Sequence, residues 1–348
     1  MSRQQSDAKI VLFGGIEVDI SQFDFNDHSS RVASVKIANI IFIALVLTTV
    51  ALRIFARVKY VRRIFADDIL IIFAAVFTVA LALTCIAATA HGLGQHVWIL
   101  PVQTLFETMK SCILYLYVCQ VLYAFSIALT KIAIISSYLR FIQDKPFRLA
   151  MYITSIIIAS LWVTGVFVTI FQCRPISGAW NFTISRKCVD YIDYLYASSA
   201  VNVATDIILC ILPLPHLWRL NMPLKQRLIL CALLAGGASA CVVGMVRIGY
   251  LHHLRVLDLT YQSVPCLILS VGECSLGIIT VSIPPLRPLA RRFFPSAMRS
   301  NPSTSSQPRT WHVRLSSIPP SQNRTPLDAE VKHESTTSYE SSHTRTSG

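Results

Sequence analysis

Charge is what this sequence has least of. Only 14% of its 348 residues are Asp, Glu, Lys or Arg, against about 25% in soluble globular chains. A chain of this length is long enough for two soluble domains, but it lacks the charge to solvate their surfaces. Zinc-type spacing is missing too. The 10 Cys include no C-x-x-C pair and no Cys/His cluster at metal-ligand spacing. Most Cys lie inside apolar runs, where the residue acts as a small hydrophobe. The first 30 residues hold no long apolar core, so no cleaved signal peptide is expected and the first apolar window would direct insertion. No segment clearly repeats another, which gives an internally duplicated transporter no support.

Apolar residues fill the space that charge leaves, at 53% of the chain. A membrane-spanning helix needs about 20 mostly apolar residues. Seven windows qualify: 35–56, 68–90, 109–139, 149–172, 193–217, 227–250 and 262–285. The expected fold is an all-α membrane protein, a bundle of seven transmembrane helices. Its expected parts are an extracellular segment at 1–32, a membrane domain at 33–293 and a disordered cytoplasmic tail at 294–348, rich in Ser, Thr and Pro.

The net charge of +13 is read by position. Arg53, Arg57, Lys59, Arg62 and Arg63 follow the first window, and Arg140, Lys145 and Arg148 follow the third. Arg219, Lys225 and Arg227 follow the fifth, and Arg287, Arg291, Arg292 and Arg299 follow the seventh. These fifteen face only seven on the other side: Arg31, Lys36, Lys110, Arg174, Arg186, Lys187 and Arg255. The positive-inside bias puts the N-terminus outside and the C-terminus in the cytoplasm. The sequon at Asn181 falls in a loop so placed outside, making Asn181 a candidate glycosylation site, whereas the match at Asn323 would face the cytoplasm. In the tail, the Arg-x-x-Ser-x-Pro pattern from Arg314 makes Ser317 a candidate phosphorylation site.

That outer loop also holds Cys173 and Cys188, outside the apolar windows and in a compartment that permits disulfides. A bridge between them would close a loop of about 16 residues and contribute roughly 3 kcal/mol by chain entropy. Cys112, at the outer end of the third window, is a rival partner for either. After the second window comes His91-Gly92-Leu93-Gly94-Gln95-His96-Val97-Trp98. The two His could bind a metal or sense outer pH, with His252 and His253 on the same side. The plainer reading is a helix end capped by Gly92, with the His side chains on the last carbonyls.

Ionisable residues inside a spanning helix are costly and usually paired. Asp67 and Asp68 open the second window and mark the membrane boundary or favour a helix N-terminus. Lys131, Asn202, Asp206 and Glu273 fall at depths that permit one buried cluster, and Arg247 lies near the outer end of the sixth window, where it could snorkel to the headgroups. Such a cluster serves either as a register-fixing ion pair or as a polar switch and ligand contact. Ala232, Gly236, Ala240 and Gly244 form a smooth seam on the sixth helix. Pro213 and Pro215 are expected to end the fifth helix, and Pro284, Pro285 and Pro288 the seventh.

Taken in order, these features resemble the fungal rhodopsin-domain integral membrane proteins, the seven-helix group that includes the Pth-type receptor-like proteins. The matching residues are Asp67-Asp68, His91 to His96, Tyr123, Lys131, Tyr138-Leu139-Arg140-Phe141, Cys173-Arg174-Pro175 through Trp180 to Cys188, Asn202, Asp206, Leu212-Pro213-Leu214-Pro215, Arg247 and Glu273. The resemblance covers about residues 33–293. It implies a receptor-like protein of the plasma membrane. A retinal Schiff base would need a Lys in the seventh helix, but no Lys lies between Lys225 and Lys332. The third window lacks Asp-Arg-Tyr and the seventh lacks Asn-Pro-x-x-Tyr, so the switch of animal rhodopsins is not supported.

The expected function is therefore a retinal-free sensor of an extracellular ligand, relayed to a cytoplasmic signalling partner. A transporter or channel with a polar pathway through helices 3, 5 and 7 is the alternative. A seven-helix metal hydrolase would need His and Asp at one membrane level, but His216 falls inside and His91, His96, His252 and His253 outside. Neither enzymatic activity, a cofactor nor a nucleic-acid partner is expected, and the lipid bilayer is the expected surrounding.

Overall fold

In lipid, every backbone N–H and C=O must find a partner within the chain, which favours continuous helices. The computed structural model has seven of them long and apolar enough to span a membrane among the described residues. Those residues are 10–13, 16–19, 27–63, 65–101, 103–181, 184–215, 224–251 and 258–293. The tail expected at 294–348, with Ser317, lies outside them, as do His252 and His253.

Helix α1 runs Val32–Ala56, α2 Ala66–Ala88, α3 Leu105–Phe141 and α4 Lys145–Ile170. Then follow α5 at Tyr191–Ile211, α6 at Leu224–Leu251 and α7 at Leu259–Phe293. Before α1, β1 (Ile10–Phe13) pairs antiparallel with β2 (Ile16–Asp19). Between α4 and α5, β3 (Cys173–Arg174) pairs antiparallel with β4 (Lys187–Cys188), placing Cys173 opposite Cys188. These two form the disulfide, and Cys112 is a free, buried thiol. The end of the bundle with this bridge is called the disulfide end below.

α7 is the most enclosed helix. Of its apolar window 67% is buried, against 17% for α4. It packs on α1, α2, α3 and α6; α3 in turn carries α2 and α4, and α5 packs on α6. Side chains such as Ile37 and Ile41 on α1 and Ile153 and Ile156 on α4 stay exposed on the bundle surface. In a bilayer that exposure costs nothing, because the surrounding solvent is itself apolar.

The glycine seam of α6 works within the chain. A Cβ on Gly236 would collide with the Thr280 side chain of α7, and one on Gly244 would meet Val203 of α5 at 2.8 Å. The seam therefore lets α6 approach two neighbours at once.

Pro213 lies beyond the end of α5 at Ile211. The prolines of α7 behave differently: the helix runs through Pro284, Pro285 and Pro288 to Phe293 instead of ending there. Proline interrupts a helix chiefly by removing the N–H owed to the carbonyl four residues back. For Pro285 that carbonyl belongs to Val281, and the buried Arg53 guanidinium supplies the missing donor through Nη1 at 2.6 Å. A side chain from α1 thus completes the backbone of α7.

Candidate functional site

Midway through the bundle, α3, α5, α6 and α7 bring one polar residue after another to a common point. Lys131 Nζ donates to the Asn202 carbonyl (2.8 Å) and to Thr205 Oγ1 (2.6 Å), and pairs with Asp206 Oδ1 at 2.9 Å. All three ammonium protons are thereby used. Asn202 Nδ2 donates to Glu273 Oε1 at 2.6 Å and to the Tyr123 hydroxyl oxygen at 3.2 Å, and Tyr123 donates to Glu273 Oε2 at 3.0 Å. Glu273 is fully buried. The positions follow from helical spacing: Asn202 and Asp206 stand one turn apart on α5 and so share a face.

Arg247 does not snorkel. It is only 5% exposed. Its guanidinium lies over the Tyr123 ring (4.7 Å), donates through Nη1 to Ser270 Oγ at 3.4 Å and stands 3.9 Å from Glu273 Oε2. The Glu273 carboxylate of α7, the Tyr123 ring of α3 and Ser270 surround it inside the bundle.

Beside this network lies a cavity of about 250 Å³ between α3, α4 and α5, lined among others by Tyr123, Lys131, Trp162, Tyr194, Asn202 and Arg247. Tyr194 ties α4 to α5 near the disulfide end, donating to the Gly165 carbonyl at 2.9 Å with its oxygen 3.2 Å from Thr169 Oγ1. Asp206 and Glu273 do not line the space. The cavity therefore meets the network from its cationic side.

A second buried ionic cluster lies at the opposite end. Arg53 Nε donates to Asp68 Oδ1 at 2.9 Å and Nη2 to Asp67 Oδ2 at 2.6 Å. Arg57 repeats the pattern one turn later, at 3.1 Å to Asp68 and 3.0 Å to Asp67. Arg140 from α3 adds a bond from Nη2 to Asp67 Oδ1 at 2.7 Å and stacks over Phe65 at 3.7 Å. Asp68 Oδ2 accepts the Phe65 N–H (3.0 Å), which caps α2. The sequence marks Asp67 and Asp68 as a membrane boundary or helix N-terminus, Arg53 and Arg57 as orientation charges, and Arg140 as an orientation charge that also falls in the family pattern, without joining them. The available signal was the spacing of Arg53 and Arg57, which puts two cations on one helical face just before an Asp pair.

The disulfide end is closed by the His91–Trp98 turn and the segment before α1. Gly92 and Gly94 have φ of +87° and +89°, a region that favours glycine, and a Cβ on Gly94 would stand 3.0 Å from the Val32 nitrogen. That space lets Arg31 N–H donate to the Gly94 carbonyl at 2.8 Å. His91 stacks on Tyr115 instead of bonding the last carbonyls. His96 is buried between the rings of Trp98 and Tyr261. Its Nδ1 meets Asp258 Oδ2 at 2.5 Å and its Nε2 meets Ser29 Oγ at 3.2 Å. Trp98 Nε1 donates to the Asp27 carbonyl at 3.0 Å. Bonds from Ser29, first its backbone N–H, hold the Asp27 carboxyl below the usual 3.8. The sequence placed no acid beside these His residues, yet Asp258 meets His96 Nδ1 and Asp27 Oδ2 stands 3.7 Å from its Nε2. No group of three or more His, Cys, Asp or Glu able to hold a metal occurs among the described residues. Asn181 is half-buried, and its sequon partners Phe182 and Thr183 lie outside the described residues.

Comparison with known proteins places this geometry. The family model described as the fungal rhodopsin domain matches residues 52–292. The chain is 27% identical to "Polyenoic acids biosynthesis gene cluster protein Ba17b" of Metarhizium anisopliae, over 72% of each chain. It is 26% identical to a "SAT4 family membrane protein" of Emericella nidulans, over 62% of this chain and 55% of that one. It is 23% identical to "Receptor GIN3" of Arthrobotrys oligospora, over 58% of this chain and 49% of that one. The chain thus spans about half the length of the last two relatives.

Proposed function

The chain belongs to the fungal rhodopsin domain family, and from that premise we propose that it is a receptor-like protein of the plasma membrane that senses an extracellular ligand without retinal. The N-terminus and the disulfide end face outward and the Asp67–Asp68 end faces the cytoplasm, where a signalling partner docks. The positive-inside bias supports this orientation. One similar protein carries the name receptor. The reading involves no catalytic step and no cofactor, and α7 has no Lys on which to carry retinal.

The observation that carries the reading is that the same two helices hold both ionic clusters. α7 presents Glu273 to the central network and the Val281 carbonyl to Arg53. The two positions are eight residues apart, or about 12 Å at 1.5 Å per residue. α3 presents Tyr123 and Lys131 to the first cluster and Arg140 to the second. A ligand that binds one arrangement of the central network better than another shifts both helices, and with them the Arg–Asp cluster. An apolar layer containing Val46, Ile71, Ala74, Ala133 and Ile278 lies between the clusters.

The test is expression at the cell surface followed by a ligand panel, reading G-protein activation and substrate uptake in parallel. The expected result is a ligand-dependent signal that Lys131→Met abolishes while surface level is kept. Uptake without any signal, or a Lys131→Met variant that signals normally, would overturn the reading.

A further inference from the structure

The proposed receptor role leaves the ligand open, and the cavity between α3, α4 and α5 narrows it. Its ionisable lining presents cationic groups, Lys131 and Arg247, while their carboxylate partners sit behind them. Lys131 has spent its three donors inside the network. Arg247 has not: its Nε is buried and has no partner. Trp162, from α4, is a second lining residue whose buried N–H has no partner. The buried acceptors that lack partners (Asn39 Oδ1, Gln172 Oε1, Asp206 Oδ2 and Ser263 Oγ) belong to residues outside the lining. A buried donor left unmade is expensive. With Lys131 and Arg247 in the lining and their carboxylate partners outside it, the cavity favours a group that accepts charge-assisted hydrogen bonds, and a carboxylate offers two oxygens with about four lone-pair sites.

The rest of the lining is apolar, with Ile127, Ala128, Ile158, Leu161, Val168 and Val201. Two of these mark the way in. Leu161 on α4 and Val201 on α5 both line the space and are both 40% exposed on the bundle surface. Each lies well inside its membrane-spanning helix. Tyr194 clasps α4 to α5 nearer the disulfide end. Leu161 and Val201 thus carry the lining to the bundle surface at a level inside both spanning helices. At about 250 Å³ the space is well above the ~150 Å³ that accommodates benzene in an engineered protein cavity.

We propose that the cavity binds a medium-chain amphiphilic carboxylate, which enters from the bilayer between α4 and α5 and places its carboxylate against Arg247 and its chain along Ile158, Leu161 and Val201. This rests on the receptor reading only for its consequence, not for the binding itself.

The full chain in phosphatidylcholine nanodiscs is titrated with radiolabelled decanoate, with decanol and methyl decanoate as neutral analogues. Saturable decanoate binding is expected, with the neutral analogues weaker by roughly tenfold or more. Arg247→Gln should weaken decanoate by a similar factor. Arg247→Lys, which keeps the charge, should recover part of it, and thermal melting of both variants checks that the fold is intact. Leu161→Trp, which narrows the opening, should slow association. Equal binding of decanol, decanoate binding unchanged by a folded Arg247→Gln, or a tightly held phospholipid that decanoate does not displace would each overturn the proposal. Should Arg247→Gln fail to fold, unchanged association in Leu161→Trp decides against it. Decanoate binding with no cellular signal would overturn the receptor role and leave the ligand class standing. A signal from a water-soluble ligand undiminished in Leu161→Trp would do the reverse.

Discussion

Arg53 offers the sharpest test of how the bundle is held together. It is 1% exposed, and its guanidinium serves Asp67, Asp68 and the Val281 carbonyl that Pro285 leaves without a helical donor. Arg53→Gln removes the charge and keeps much of the length. Breaking a buried ion pair by deleting one partner costs about 3–5 kcal/mol. The stranded Val281 carbonyl adds about 1–3 kcal/mol. Arg57 and Arg140 remain on the aspartates and offset part of the first cost. A net loss of about 4 kcal/mol is therefore expected, large against a total stability of roughly 5–15 kcal/mol. Arg53→Lys keeps the charge but lacks the planar fork that reaches two carboxylates and a carbonyl together, so it should recover less than half the loss. Both are read by thermal unfolding of the purified full chain in detergent, with Arg62→Gln as control. Arg62 is exposed, so its replacement should stay within about 0.5 kcal/mol. An Arg53→Gln protein that melts with the control would refute the assignment. A second check is Pro285→Ala in the Arg53→Gln background. It restores the N–H that Val281 lacks, and should return about 1 kcal/mol of the loss.

Other outcomes follow from the same geometry. Replacing Cys173 and Cys188 together by Ser should cost roughly 3 kcal/mol in thermal stability, while Cys112→Ser leaves the Cys173–Cys188 bridge detectable by mass spectrometry. Asp258→Asn weakens the hold on His96, so amide exchange at residues 27–31 should accelerate while the core of α7 stays protected; unchanged exchange would deny His96 an anchoring role. Gly236→Leu drives a side chain into Thr280 and should sharply reduce folded protein, whereas Gly249→Ala, with open space around it, should be tolerated.

The residues differ in how legible they were. Seven helices could be counted from apolar length alone, because the bilayer imposes one length on every span. Lys131, Asn202, Asp206 and Glu273 stood out because ionisable and amide groups are rare where they cost most. The Arg53–Asp68 cluster was harder to see, since arginines near a helix end look like topology signals. Whether they face lipid headgroups or a neighbouring helix depends on packing. Asp258 was invisible for a similar reason: it lies far from His96 in sequence, and only the approach of α7 to the His91–Trp98 turn joins them.

What the sequence determined by itself was the environment and the class of fold. Too little charge for water and seven runs of the right length leave a helical membrane bundle, because hydrocarbon forces every backbone polar group to be satisfied within its own helix. Tertiary structure decided which buried charges meet, and that a proline-bearing α7 continues past Pro285 because Arg53 of α1 supplies the donor that proline lacks. It also decided that Arg247 turns inward toward Glu273 and the cavity instead of outward to the headgroups. Helix rotation and close approach settle such choices, and both arise only when all seven helices pack.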